Sequence, residues 1–281
     1  MSDDSFSYDD WFSYRLAPDG DIEDGCHPDE AQAMKDYLRQ KTTVTEAAQA
    51  ITYPVTREDD PTDNLHRLWG FLEDSLVELP SKHIDPLILL LQAIEALPKP
   101  DFAGNHDVWE GLGNFGHMWS DGYMNGGWRT KAREGNGPEY DISRERHVRK
   151  AEIEARIVQA GIGKIPIDWG YEVVADALES SNAVFDFEIP AAANWLVICG
   201  QIFRQGAEKR EESYGLKPFT MIGPHDPSRD LRKAPLDRIM TLERWSDWEH
   251  RLKELEGELG VVGEAAKTAL GAMQKLDDPS T

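Results

Sequence analysis

Cysteine is nearly absent. The 281 residues hold two, Cys26 and Cys199, far apart and without metal-ligand spacing. A disulfide framework and a cysteine-held metal are thereby excluded, and a reducing compartment is the natural setting. Long apolar runs are also lacking. The longest nearly apolar stretches, residues 86–91 and 189–200, are too short to span a bilayer. The opening Met1-Ser2-Asp3-Asp4 has neither the positive charge nor the apolar run of a secretory signal, and no Asn-x-Ser/Thr acceptor occurs. The expected location is cytoplasmic or nuclear. Positive charge is scarce, with 30 Lys and Arg against 52 Asp and Glu and a formal net charge of −22. Such a field repels phosphate backbones and anionic lipid, so neither nucleic acid nor a membrane is an expected partner.

What is present is bulky core material and helix punctuation. Nine Trp, nine Phe and eight Tyr argue against global disorder, and the length suffices for one large or two modest domains. Pro28 opens a segment running to Gln40. Thr43-x-x-Glu46 is a capping box, in which each side chain satisfies the other's free backbone N–H. Asp60-Pro61 and Asp85-Pro86 pair an N-cap residue with proline at the first helical position. Leu65, Leu68, Trp69, Leu72, Leu76 and Leu79 then recur every three or four residues, the spacing of one helix face. Ser143 caps a helix to Ala160, with Gly161 as its stop. Pro166 or Asp168 starts the next, to about Leu178. Pro190 is expected to open a central helix, apolar on nearly every side to Phe203. A last amphipathic helix carries Ile239, Leu242, Trp245, Trp248, Leu252, Leu255 and Leu259. No strict apolar–polar alternation exceeds four residues.

The expected fold is therefore all-α: about nine packed helices in one compact domain, residues 27–270. A flexible acidic arm, residues 1–26, precedes it, and a frayed tail, residues 271–281, follows. Ten of the first thirty residues are acidic, against the single base Arg15. The aromatics Phe6, Tyr8, Trp11, Phe12 and Tyr14 suggest that this arm docks on its own core.

Several constellations could carry chemistry. Gly111-Leu112-Gly113-Asn114-Phe115-Gly116 matches the dinucleotide fingerprint by letter, but no strand precedes it and no βαβ unit surrounds it, so close packing through glycine is the expected reading. His117 lies in an aromatic setting, Phe115-Gly116-His117-Met118-Trp119-Ser120-Asp121. It is a candidate acid or base if buried; the ordinary alternative is a satisfied core histidine. Glu172, Asp176 and Glu179 share a helix face. Clustered carboxylates raise one another's proton affinity and could supply a general acid, whereas the ordinary alternative is a solvated acidic stripe. Residues 129–150 hold the one basic cluster (Arg129, Lys131, Arg133, Arg144, Arg146, Arg149 and Lys150), expected to receive the acidic arm or an anionic ligand. No metal and no cofactor is expected.

Three stretches also carry a resemblance. They are Trp109-x-x-Leu112-x-x-Phe115-Gly116-His117-x-Trp119-x-Asp121 with Trp128-Arg129; Gly163-x-Ile165-Pro166-x-x-Trp169-Gly170-Tyr171 with Asp176-Ala177-Leu178-Glu179; and Ile189-Pro190-Ala191-Ala192-Ala193-x-Trp195. Over about residues 35–215 the chain resembles the large fungal family known as a domain of unknown function, number three-six-three-two. The resemblance implies a fungal, intracellular, helical protein. Members often lie near genes of specialised metabolism, and the family supplies no catalytic residue.

Together these readings predict an accessory or small-molecule-binding protein of fungal specialised metabolite biosynthesis. Its ligand or protein partner would meet a Trp-lined groove built from residues 109–128 and 169–179, with Trp109, Trp119, Asp121, Trp128, Arg129, Trp169 and Tyr171 as contacts. One alternative is a cofactor-independent isomerase, cyclase or hydrolase using His117 with Glu172 or Asp176 as acid and base. Another is a scaffold that uses the arm and the last helix.

Overall fold

The structure, a computed structural model, describes residues 6–20, 25–60, 62–100, 108–123, 128–129, 132, 137–216 and 237–277. These residues form eleven α-helices and no strand, so the fold is all-α. The chain divides into two compact units: Met1–Met124 with Ala160–Lys164, and Asn125–Gln159 with Ile165–Thr281. The 215–234 connector falls almost wholly outside the described residues, as do His106 and His225.

The first unit holds α1 (Tyr8–Leu16), α2 (Pro28–Leu38), α3 (Val44–Thr56), α4 (Leu65–Glu78), α5 (Ile84–Glu95) and α6 (Phe115–Tyr123). The Thr43/Glu46 capping box starts α3 as expected: the Glu46 N–H donates to Thr43 Oγ1 at 3.3 Å, and Glu46 Oε2 accepts from the Thr43 N–H at 2.8 Å. An unforeseen box starts α2. His27 Nδ1 accepts from the Asp29 N–H at 3.1 Å, while Glu30 accepts from the His27 N–H at 2.9 Å. The apolar face of α4 is buried as its spacing requires, and Trp69 anchors an aromatic cluster with Trp109 and Phe115 at ring distances of 6.1 and 5.8 Å. The Trp69 indole donates to the Gly113 carbonyl at 2.7 Å, fixing the turn before α6. That turn needs a left-handed backbone at Gly111 (φ +65°), where a Cβ would lie 2.2 Å from the Lys164 side chain. Gly111 of the fingerprint-like stretch thus shapes a turn.

Residues 8–16 differ from the expected flexible arm. They form α1, with Trp11 and Phe12 buried. The Trp11 indole donates to Glu78 at 2.8 Å, and Arg15 pairs with Asp74 and Glu78. Burial of the two aromatics outweighs the acidity of the segment, on the order of 2–3 kcal/mol for each large apolar side chain. Residues 1–5 and 21–24 of the expected arm lie outside the described residues.

The second unit holds α7 (Pro138–Ala160), α8 (Asp168–Leu178), α9 (Phe185–Lys209), α10 (Leu242–Leu255) and α11 (Val261–Asp277). Helix α9 is the centre, packed against α8, α10 and α11. It begins five residues before Pro190, which lies inside it. Gly170 lets α8 approach α9 closely, since a Cβ there would lie 2.5 Å from a Trp195 ring carbon. The expected last helix ends at Leu255, so Leu259 projects into solvent at 92% exposure, and Ile239 instead forms an isolated antiparallel bridge with Glu212. Residues 271–277 are not a frayed tail. They close α11, where Met273 is buried and Asp277 accepts from the Trp245 indole at 3.0 Å and pairs with Arg204 at 2.8 Å. No helix among the described residues is long and apolar enough to cross a membrane.

Candidate functional site

In the second unit, Arg129 gathers carboxylates from two helices. One guanidinium nitrogen lies 2.6 Å from Asp176 Oδ2 on α8 and 2.5 Å from Glu188 Oε1 in the first turn of α9. The other Glu188 oxygen accepts the Val184 N–H at 2.5 Å, so the same side chain caps α9. All three groups are largely buried. Burial pushes the Glu188 carboxyl up to about 7; the pull of Arg129 opposes this and the charge of Asp176 adds to it. Burial alone would weaken the Arg129 charge, but the two carboxylates more than offset it and hold the guanidinium protonated.

Aromatic rings line one side of this centre. Trp128 stacks on Phe187 at 5.3 Å with 14° between planes, and the Arg129 guanidinium lies 4.7 Å over the Trp128 ring. The His147 ring on α7 sits 4.1 Å from Trp128. His147 keeps some exposed surface, yet its Nε2 is enclosed and has no hydrogen-bond partner among the described residues. Burial, followed by the charges of Lys150 and Arg129, pushes this imidazole down to about 3. It is therefore neutral at physiological pH and offers one unused nitrogen. Tyr140 donates its hydroxyl to Asp186, and burial together with that carboxylate pushes the phenol up to about 12.

A second charged centre lies nearby in the same unit. Glu179 receives Arg244 as a fork, at 2.6 and 2.9 Å, and the Trp248 indole at 2.7 Å. The acidic face of α8 is thus neither a solvated stripe nor a mutual carboxylate cluster. Asp176 and Glu179 are each 6% exposed, and each has its own arginine. Glu172 is half-buried. Other members of the basic cluster are paired within their own unit: Lys150 with Glu154 at 2.7 Å and Arg144 with Asp141 at 3.0 Å. Lys131 and Arg133 lie outside the described residues.

The other expected site residues fall differently. His117 is not buried: it is 75% exposed on α6, 3.4 Å from Asp121, itself 71% exposed. Trp109 and Trp119 are 1% and 0% exposed in the first unit's core and present no surface to a ligand. Tyr171 is fully buried and donates to Glu211 at 3.1 Å, and burial with that carboxylate raises its phenol far above the usual range. Trp169 is partly buried against the second unit's core. The residues gathered around Arg129 are thus Trp128 and Asp176, which sequence patterning singles out, and Glu188, His147, Tyr140 and Asp186, which it does not. Glu188 directly precedes the Ile189-Pro190 motif, and that adjacency was the one available signal.

The sequence model of a family described as protein of unknown function (DUF3632) matches residues 69–252, and the chain belongs to that family. No curated protein and no solved structure matches the chain.

Proposed function

We propose that this family member is a small-molecule-binding protein whose ligand seats against Trp128 and His147, serving fungal specialised metabolism in the cytoplasm or nucleus. The observation that carries the binding reading is the neutral His147 imidazole, with an enclosed, unpartnered nitrogen beside a tryptophan face. An enclosed polar atom without a partner costs free energy that a ligand hydrogen bond would recover. The metabolic setting and the location rest on the resemblance and on the two buried, free cysteines.

Acid/base catalysis has less support. His117 is exposed, Asp176 is held in an ion pair, and an imidazole pushed down to about 3 is a poor base near neutrality. A scaffold using the N-terminal segment or α10 has less support, because Trp11 and Phe12 of the first and Trp245 and Trp248 of the second are buried within their own units.

Thermal-shift and tryptophan-fluorescence titration of the full chain against a panel of phenols and alcohols tests the reading. A hydroxyl is the informative probe because it complements either imidazole tautomer. A binder at a hundredfold excess over its dissociation constant should stabilise the chain by about 2.7 kcal/mol. That gain should vanish in His147→Phe while the ligand-free melting temperature stays near wild type. An unchanged gain in His147→Phe, or a panel without any binder, overturns the proposal.

A further inference from the structure

Asp176 and Glu188 meet Arg129 at a single guanidinium nitrogen, at 2.6 and 2.5 Å. The three side chains are 8%, 3% and 16% exposed, so water does little to spread their charge. One guanidinium neutralises one carboxylate. With both acids ionised the node carries an excess negative charge in a dry setting. Such a charge is costly, and the usual relief is the uptake of a proton.

The surrounding helices bring charges that are committed elsewhere. On α7, Tyr140 gives its hydroxyl to Asp186, Lys150 is tied to Glu154 at 2.7 Å, and His147 is a neutral imidazole. On α8, Glu179 is held by Arg244. On α10, Arg251 lies 5.4 Å over the Phe185 ring and pairs with Glu254 at 2.6 Å. On α11, Asp277 pairs with Arg204, toward the other end of α9. Arg129 and Asp176 are the charges that act most on Glu188, and burial outweighs the pull of Arg129, so the carboxyl is pushed up to about 7.

The same node positions a ring. Arg129 follows Trp128 in the chain, and its guanidinium lies 4.7 Å over the indole. That indole stacks on Phe187, the residue before Glu188.

We infer that Asp176 and Glu188 share one proton across Arg129, and that its loss is a pH switch which loosens Trp128 from Phe187. Losing the proton leaves an unmatched charge that hydration relieves. Hydration draws the guanidinium off the pair, and the indole beside it loses its place. The switch closes on acidification and opens on alkalinisation. It reaches beyond the binding reading: the ring it moves is the proposed ligand seat, but the switch needs no ligand.

Ligand-free fluorescence of the full chain between pH 5.5 and pH 8.5, read as the difference between the parent and Trp128→Phe, tests this. The Trp128 signal is expected to change in one step with a midpoint near pH 7. Glu30 and Glu73 are also pushed up, to about 7 and about 8, but belong to the first unit, so the variants assign the step. Glu188→Gln should abolish it. Asp176→Asn leaves Arg129 to Glu188 alone and should lower the midpoint by about one pH unit or more. A side-chain carboxyl carbon resonance that moves near pH 7 in the parent and is missing in Glu188→Gln reads the same proton directly. A flat Trp128 signal, a step that persists in Glu188→Gln, or a midpoint that Asp176→Asn leaves unmoved would each overturn the inference. Should Glu188→Gln not fold, the Asp176→Asn shift and the parent's carboxyl resonance decide it. No ligand enters the experiment, so its outcome stands apart from the fate of the Trp128–His147 proposal.

Discussion

Arg244 and Glu179 face each other as a two-point fork inside the second unit. Their side chains are 1% and 7% exposed, and the Trp248 indole makes a third bond to the same carboxylate. Removing one partner strands a desolvated charge. Arg244→Met is therefore expected to lower stability by roughly 3–5 kcal/mol. The double change Arg244→Met with Glu179→Met should recover most of that loss. Urea unfolding of the three chains measures both, and a double variant as unstable as the single one would show that the fork does more than neutralise itself.

Glu73 gives the chain a pH dependence of known sign. It is 4% exposed on α4, its Oε1 has no hydrogen-bond partner, and burial with the charge of Asp74 pushes its carboxyl up to about 8. The folded state therefore holds a proton that the unfolded state releases near the usual carboxylate value. Stability from this group is complete below about pH 4.5 and is lost as pH rises through about 8. Glu30 and Glu188, both pushed up to about 7, act in the same direction. Unfolding free energy should fall between pH 5.5 and pH 8.5, and Glu73→Gln should flatten that decline. A slope unchanged in Glu73→Gln contradicts the assignment.

Gly170 should resist a change that usually helps a helix. Gly→Ala gains up to about 1 kcal/mol in an open helix. Here the new methyl would meet the buried rings of Trp195 and Phe203 at 2.5 and 2.8 Å. Overpacking is expected to make Gly170→Ala a net loss of about 1–3 kcal/mol. Gly122 on α6 has open space around it and should show the ordinary gain. Melting temperatures of the two variants should shift in opposite directions.

The docking of α1 should be visible to a protease. Arg15 is tied to Asp74 and Glu78, and Phe12 is 1% exposed. Trypsin should cleave after Arg15 slowly in the parent chain. Phe12→Ala, which empties a buried ring site, should accelerate that cleavage at least tenfold. Fast cleavage of the parent would show that the segment is undocked.

Local punctuation was the legible part of this fold. The Thr43/Glu46 box, the Gly161 stop (φ +72°) and the α4 stripe all follow from short-range spacing, and all are present. Helix α11 gave little signal because its buried face, Gly263, Ala266, Ala269, Leu270 and Met273, carries only two bulky apolar side chains. The site was less legible. At 100° per residue, Phe115 and Trp119 share the buried face of α6, and His117, about 200° from Phe115, must point away. Aromatic neighbours in sequence therefore said nothing of burial at that position. Asp176 and Glu188 meet through a residue 47 and 59 positions upstream, a pairing that no helix period encodes.

The closing helix has a practical bearing on any fragment of this protein. Val261–Asp277 lies beyond the matched segment, which ends at residue 252, yet it packs against α9 and its Asp277 accepts from the Trp245 indole. A recombinant piece trimmed to the shared boundary would bare a strip of alanine and leucine to water and would come out of the cell as inclusion bodies. Expression work on this chain should carry Val261–Asp277 as part of the scaffold.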